Sequence, residues 1–325
     1  MSPDRIVSGE EILAAMPHRY ENILVDQVCI PSEMHGSGGS LSVKISRDDA
    51  FGRFIFAKQK RPGEWVVLVT VFMEILALGS IVGSCKIGPN ILTFFAGISN
   101  FEKLGDLFIG QEAKGTVEKK KDKGGFLLCG GQLYSGDALV AKGDMLAFFV
   151  DSTQPVSASA KKIVSVDLTH DFEMNLIKDP DLKSPDMYMI DTLVMDRLPE
   201  GRALAHYTYP TTHPLVKGHF PGRPVMMGVC QWMMVEDAVL ALACRWKNAQ
   251  DRQGLYRVSG FAELIKPDGT SVCEIKSFEV QVYMDVPGFL NQVELLKTEK
   301  ISFRDSVSPG EKVYIHLTQL QISNG

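Results

Sequence analysis

The sequence lacks any block of positive charge large enough to dominate a surface. Its 325 residues carry 34 Lys and Arg against 39 Asp and Glu, which gives a net charge of -5. This argues against a nucleic-acid-binding protein, because such proteins neutralise phosphates with clustered Lys and Arg. The one dense basic run, Lys119 to Lys123, stands beside Gly124-Gly125 and indicates a solvated hairpin tip.

Cysteine is scarce and scattered. The 6 cysteines include no CxxC pair and no tight spacing typical of a metal site. No basic and apolar segment of the signal-peptide type opens the chain. We therefore expect no bound metal, and a reducing cytoplasm as the location.

Long apolar runs free of charge are also missing. Two segments approach membrane length, Trp65 to Gly83 and Val225 to Cys244, but Glu74 interrupts the first and Glu236 and Asp237 interrupt the second. A carboxylate at the centre of a bilayer costs roughly 2.5 kcal/mol or more. A helix that is apolar all round is equally typical of a buried core helix. We therefore predict two buried helices and no membrane insertion.

What the chain does contain is a repeated order of elements. With 45% hydrophobic and 22% charged residues it has a globular composition, and its length suffices for two domains. A small, polar, proline-containing stretch at 151–160 separates two parts. Each part runs from a strand through a Pro-Gly turn and an apolar helix to further strands. We predict an α+β fold with domains at 1–152 and 163–325, joined by a linker at 153–162.

Periodicity indicates the elements of each part. In the first, apolar residues alternate over 40–46, a helix is predicted over about 66–83, and Ser135-Gly136-Asp137 predicts a hairpin. In the second, strands are predicted over 203–209 and 313–317, with a helix over 229–246. Extra sequence lies between that helix and the late strand. Its part 256–283, turning at Pro267-Asp268-Gly269, either fills the place of a final hairpin in the sheet, or the chain is cut short at Gly325.

The most informative motif is His219-Phe220-Pro221-Gly222-Arg223-Pro224-Val225-Met226-Met227-Gly228, which leads straight into the second apolar helix. It joins an imidazole to a helix start through a turn stiffened by proline. The motif closely resembles the signature of the hot-dog-fold β-hydroxyacyl-acyl-carrier-protein dehydratases of the FabZ and FabA type. The runs 12–20 and 23–26 are similar to the opening of that family, and Met189-Ile190-Asp191 repeats part of it. Residues 302–304 and 307–311 resemble the family's strand after the helix.

The resemblance implies two hot-dog domains in tandem, each a long central helix wrapped by an antiparallel sheet, forming an intrachain pseudo-dimer. In that family a histidine on the turn cooperates with an acid that stands fourteen positions after the equivalent turn residue of the other subunit. Fourteen residues after His219 stands Met233, whereas Lys60 occupies the histidine position of the first half and is followed at that distance by Glu74. We therefore predict that His219 and Glu74 form one composite site and that Lys60 and Met233 mark a degenerate second one.

These residue types suit elimination of water. An imidazole titrates near neutrality and suits a base, while burial keeps a carboxyl such as Glu74 protonated and able to donate. The backbone N–H of Gly228 at the helix start is a candidate oxyanion donor, as the resemblance also implies. No cofactor is required. Phe220, Val225, Met226 and Met227 line an acyl tunnel or are simply core. His18, His206 and His213 are assigned to turns or a strand face.

The predicted function is dehydration of 3-hydroxyacyl thioesters, bound to acyl carrier protein or coenzyme A, in fatty-acid, polyunsaturated fatty-acid or polyketide synthesis. The alternatives are a thioesterase, isomerase or acyltransferase on the same fold, or a non-catalytic acyl-binding protein. The assembly is a monomeric pseudo-dimer or a higher homo-oligomer. Five cationic residues near the two turns are candidates for docking an acidic carrier or a coenzyme A phosphate: Lys58, Lys60, Arg61, Lys217 and Arg223.

Overall fold

The computed structural model describes residues 4–16, 18–32, 37–84, 91–151, 161–166, 173–250 and 253–324. The first half contains helices α1 (Glu10–Ala15) and α2 (Val69–Gly83) and strands β1 (Arg5–Ser8), β2 (Gln27–Ile30), β3 (Gly38–Lys44), β4 (Ala57–Arg61), β5 (Glu64–Val67), β6 (Ile91–Lys103), β7 (Glu112–Lys123), β8 (Phe126–Ser135) and β9 (Ala138–Asp151). The second contains helix α3 (Gly228–Gln250) and strands β10 (Met174–Asn175), β11 (Thr192–Arg197), β12 (Arg202–Thr208), β13 (Gly254–Ile265), β14 (Ser271–Met284), β15 (Gln292–Phe303) and β16 (Lys312–Asn324).

One antiparallel sheet runs through both halves. Its strand order is β1-β2-β3-β7-β8-β9-β6-β15-β14-β13-β16-β12-β11-β10, and β4 and β5 form a separate hairpin. The halves meet where β6 pairs with β15, with Ile98 opposite Ile301. Long-range pairing therefore joins the two domains edge to edge.

Each half places its long helix against its own part of the sheet. Helix α2 packs on β3, β7, β8 and β9, α3 packs on β14 and β15, and the two helices contact each other. All residues of α2 are buried, which is the expected position for a helix that is apolar all round. This is a tandem arrangement of two hot-dog domains, as the resemblance implies. Within the described ranges, no helix is both long and apolar enough to cross a membrane.

The extra sequence of the second half belongs to the sheet. Strands β13 and β14 pair around the predicted turn, with Ile265 opposite Ser271, and lie between β15 and β16. In the first half, Lys119–Lys123 form the end of β7, beside the turn at Gly124-Gly125. Most of the predicted linker at 153–162 lies outside the described residues, so the domain boundaries stay a prediction.

Candidate active site

The motif at 219–228 folds as a tight turn at the start of α3. The N–H of Arg223 donates to the carbonyl of Phe220 across 2.9 Å, and Gly222 has a φ of 84°. Proline at the second position and a positive-φ glycine at the third are typical of a type II turn. Phe220 also has a positive φ, 56°. The turn therefore holds the side chain of His219 in a fixed direction.

One hydrogen bond sets the tautomer of His219. Its Nδ1 lies 2.8 Å from the carbonyl oxygen of Val225. Since a carbonyl can only accept, Nδ1 carries the proton and Nε2 presents a lone pair. The residue is buried, and burial lowers the pKa of its imidazole to about 4. His219 is therefore neutral near pH 7.

Glu74 is the sixth residue of α2 and is 4% exposed. Burial raises the pKa of its carboxyl to about 7. Glu74 and His219, from different domains, line the same cavity of about 390 Å³. The structure thus brings together at one cavity the two residues that the spacing singled out.

His18 lies at the same cavity, which corrects its assignment to a turn. Its Nε2 is 3.8 Å from the carboxylate oxygen Oε1 of Glu74, and its ring centroid is 5.1 Å from that of His219. Burial, then the charges of His219 and Arg19, hold the pKa of His18 well below its usual range. The contact with Glu74 therefore joins two groups that favour their neutral forms and is not an ion pair.

A close backbone approach between the two domains positions His18. The N–H of Arg19 donates to the carbonyl of Gly218 across 2.8 Å. A Cβ added to Gly218 would lie 2.1 Å from Nδ2 of Asn22 and 2.3 Å from the carbonyl oxygen of Arg19. Only glycine lets the segment after His18 pack on the turn that carries His219. The sequence signal for this segment was the similarity of residues 12–20 to the opening of the dehydratase family.

The remaining predicted residues divide into two groups. Phe220, Val225, Met226 and Gly228 line the cavity, whereas Met227 is 1% exposed within the hydrophobic core and is not part of the lining. Gly228 is the first residue of α3, so its N–H precedes the first intrahelical hydrogen bond. The rest of the apolar wall is formed by Ala77, Leu78, Ile81, Phe94, Phe95, Phe148 and Phe303. Among the described residues, no group of three or more His, Cys, Asp and Glu side chains is arranged to hold a metal ion.

His18, Glu74 and His219 each have a counterpart at the equivalent position of the other half of the chain. Glu74 and Met233 are both the sixth residue of their helices. His219 and Lys60 each stand nine residues before the helix start. His18 and Lys183 each stand two residues before a short 3-10 helix, Tyr20–Asn22 and Pro185–Met187. The second site thus carries two lysines and a methionine in place of two histidines and a glutamate.

Ion pairs fill this second position. Nζ of Lys60 lies 2.7 Å from Asp106 and 3.3 Å from Glu294, and Nζ of Lys183 lies 2.7 Å from Asp237. A cavity of about 20 Å³ lies beside Lys58 and Lys183, and Lys60 and Met233 are not among its lining residues.

Two of the cations proposed for carrier docking are therefore internal. The side chain of Lys60 is only 14% exposed, so it does not present its charge on the surface for docking. Lys58 is buried, and its Nζ donates to the carbonyl of Val293 across 3.0 Å. Arg61, Lys217 and Arg223 are exposed.

Comparison with known proteins found sequence relatives and several similar solved structures. No family model matches the chain. The 3-hydroxyacyl-[acyl-carrier-protein] dehydratase FabZ of Legionella pneumophila is 29% identical over 142 residues, which covers 42% of this chain and 90% of that protein. An inactive mutant of the CurK dehydratase matches 89% of this chain and 94% of its own at 9% identity and a TM-score of 0.43. A putative thioesterase from Novosphingobium aromaticivorans matches 89% and 97% at 10% identity and a TM-score of 0.42.

The sheet topology and the similarity to FabZ together define the class. The chain is a tandem hot-dog protein that is similar, over about one domain's length, to a 3-hydroxyacyl thioester dehydratase.

Proposed function

We propose that this protein is a dehydratase that eliminates water from 3-hydroxyacyl thioesters, carried by acyl carrier protein or coenzyme A, to give trans-2-enoyl thioesters. The observation that carries the proposal is the shared cavity of His219 and Glu74, one neutral with a free Nε2 and the other poised as a carboxylic acid. The similarity to FabZ, a 3-hydroxyacyl-[acyl-carrier-protein] dehydratase, supports the same reaction.

In the proposed reaction Nε2 of His219 removes a proton from C2 of the acyl chain. The electron pair of that C–H bond forms the C2–C3 double bond while the C3–O bond breaks. Glu74 donates its proton to the departing hydroxyl, which leaves as water. A proton then passes from His219 back to Glu74 through water, so the site regains its starting state. Hydration of the enoyl thioester is the reverse sequence.

Two further groups assist this step. The N–H of Gly228 donates to the thioester oxygen while negative charge develops there. The neutral ring of His18, 3.8 Å from Glu74, positions the carboxyl without adding a charge.

The wall of the cavity suits an acyl chain. Phe94 stacks on Phe220 with ring centroids 6.0 Å apart, and such apolar walls bind alkyl groups by burial. The exposed cations Lys217 and Arg223 flank the same turn. They are placed to attract the phosphate of coenzyme A or of a carrier-bound arm.

The test is a spectrophotometric assay of enoyl thioester formation from 3-hydroxyacyl thioesters on coenzyme A and on carrier protein. We expect His219→Ala and Glu74→Gln each to lower kcat by at least about a hundredfold, the range for loss of general acid or base catalysis. His206→Gln is the matched control, because His206 lies on β12 outside the cavity and should leave kcat unchanged.

Other outcomes separate the alternatives. Full activity in both variants would overturn the assignment of these residues. Release of free thiol without enoyl product would identify a thioesterase, and tight acyl binding without turnover would identify an acyl-binding protein.

A further inference from the structure

Gln231 is a buried polar residue at the cavity that the reaction above does not use. It is 2% exposed, and its side chain lines the cavity that contains His219 and Glu74. Its amide oxygen has no hydrogen-bond partner among the described residues. A buried amide oxygen without a partner destabilises the fold, so a ligand that supplies a donor would satisfy it.

Two charged side chains on this wall are already engaged. Arg304 forms an ion pair with Glu274, and Asp305 lies 3.3 Å from Nζ of Lys266. Gln231 differs from them because it is uncharged and its oxygen is unpaired. It can therefore recognise a neutral group of the substrate without a change of protonation.

Gln231 lies near Gly228, which is proposed to bind the thioester oxygen of the substrate. It stands three residues after Gly228 on α3, so the two residues share a helix face about 4.5 Å apart along the axis. The thioester oxygen and the 3-hydroxyl of the substrate are also only a few bonds apart. Glu74 and Gln231 line the same cavity.

We infer that the Gln231 amide binds the 3-hydroxyl of the acyl thioester and makes the site selective for hydroxylated chains. The inference rests on the proposed function and adds a specificity-determining residue to it. The amide oxygen accepts the hydrogen of the hydroxyl, which turns an oxygen lone pair toward the carboxylic acid of Glu74. On elimination, the resulting water carries that hydrogen and the proton from Glu74.

The test compares the binding of two probes by calorimetry, 3-hydroxybutyryl-pantetheine and butyryl-pantetheine, which differ only in the hydroxyl. Pantetheine is common to both carriers, so the result does not depend on which one the protein uses. The full-length Glu74→Gln variant serves as the parent, because turnover is then slowed by at least about a hundredfold. We expect the parent to prefer the hydroxylated probe by at least about tenfold, since a site that hydrogen-bonds a hydroxyl rejects the analogue without it. Adding Gln231→Leu should reduce this preference to about one.

Two controls guard against a general packing effect. Met234→Leu changes a buried residue of the same helix outside the cavity and should preserve the preference. Gln231→Met, with an unbranched side chain of similar length, replaces the leucine variant if the latter does not fold.

The outcomes distinguish this inference from the proposed reaction. Equal binding of the two probes by the parent, binding of neither, or a preference that survives loss of the amide overturns the role of Gln231. A preference abolished by Gln231→Leu in a protein whose wild-type form never yields enoyl product supports that role while the dehydratase proposal fails.

Discussion

His219 and Glu74 respond in opposite directions to the same cause. Burial disfavours the charged form of each group, which lowers the pKa of the imidazole to about 4 and raises that of the carboxyl to about 7. Between these values both groups are neutral. A base without its proton and an acid with its proton are the forms that the proposed elimination requires, so desolvation alone gives the pair these forms.

The pKa of Glu74 predicts how stability depends on pH. Below pH 4.5 the carboxyl is protonated in both the folded and the unfolded chain. Between 4.5 and about 7 the unfolded chain loses this proton while the folded chain keeps it, so stability falls as pH rises. We expect Glu74→Gln, which cannot ionise, to gain about 3 kcal/mol in free energy of unfolding relative to wild type between pH 4 and pH 8.

Urea denaturation across this range measures the difference. Met73→Leu, the preceding position of α2, introduces no titratable group and should differ from wild type by an amount independent of pH. A pH-independent difference for Glu74→Gln as well would show that the carboxyl is not desolvated.

At the scale of elements, the sequence predicts what is local. The spacing from turn to helix singled out His219 and Glu74, which line one cavity, because turn and helix lie in one stretch and the register repeats in both halves. His18 could not be placed in the same way. Its neighbours depend on the contact of Arg19 with Gly218, which lies across the junction of the domains. The burial of Lys58 and Lys60 was missed for the same reason, since their partner Glu294 is on β15.

The ion pairs of Glu294 at the second position join β15 to strands β4 and β6 of the first domain. Glu294 is 4% exposed, and its carboxylate lies within 4.0 Å of Nζ of Lys58, Lys60 and Lys103. Burial lowers the pKa of Lys58, while Glu294 and Glu236 oppose this. The carboxylate of Glu294 and the three ammonium groups therefore compensate one another's charge and link the two domains.

We expect Glu294→Gln to lower the free energy of unfolding by about 3 kcal/mol, because it leaves buried cations with less compensation. The matched control is Glu112→Gln, which removes a carboxylate of an exposed pair with Lys114 and should change stability by no more than about 0.5 kcal/mol. Chemical denaturation of both variants measures these changes in the free energy of unfolding. Equal effects would mean that the buried network contributes no more than a surface pair.

At the scale of the whole molecule, the two domains form a pseudo-symmetric pair with unequal sites. One position has a cavity of about 390 Å³ lined by His18, Glu74 and His219, whereas at the other Lys60 and Lys183 are engaged in ion pairs with Asp106, Glu294 and Asp237. A homodimer of identical domains would have two equal sites by symmetry. In the fused chain the two positions differ, so that one has an open cavity and the other holds ion pairs that join the domains.

This asymmetry predicts one acyl ligand per chain. Calorimetric titration of the Glu74→Gln variant with a 3-hydroxyacyl thioester should give a stoichiometry of about one. Adding Lys60→His and Met233→Glu, which recreates the histidine and acid of the degenerate position, should leave the stoichiometry at one. Lys58 and Lys183 would still occupy that space with their carboxylate partners. Binding of two ligands by the Glu74→Gln protein, or enoyl formation by His219→Ala after the two additional substitutions, would show that the second site is open.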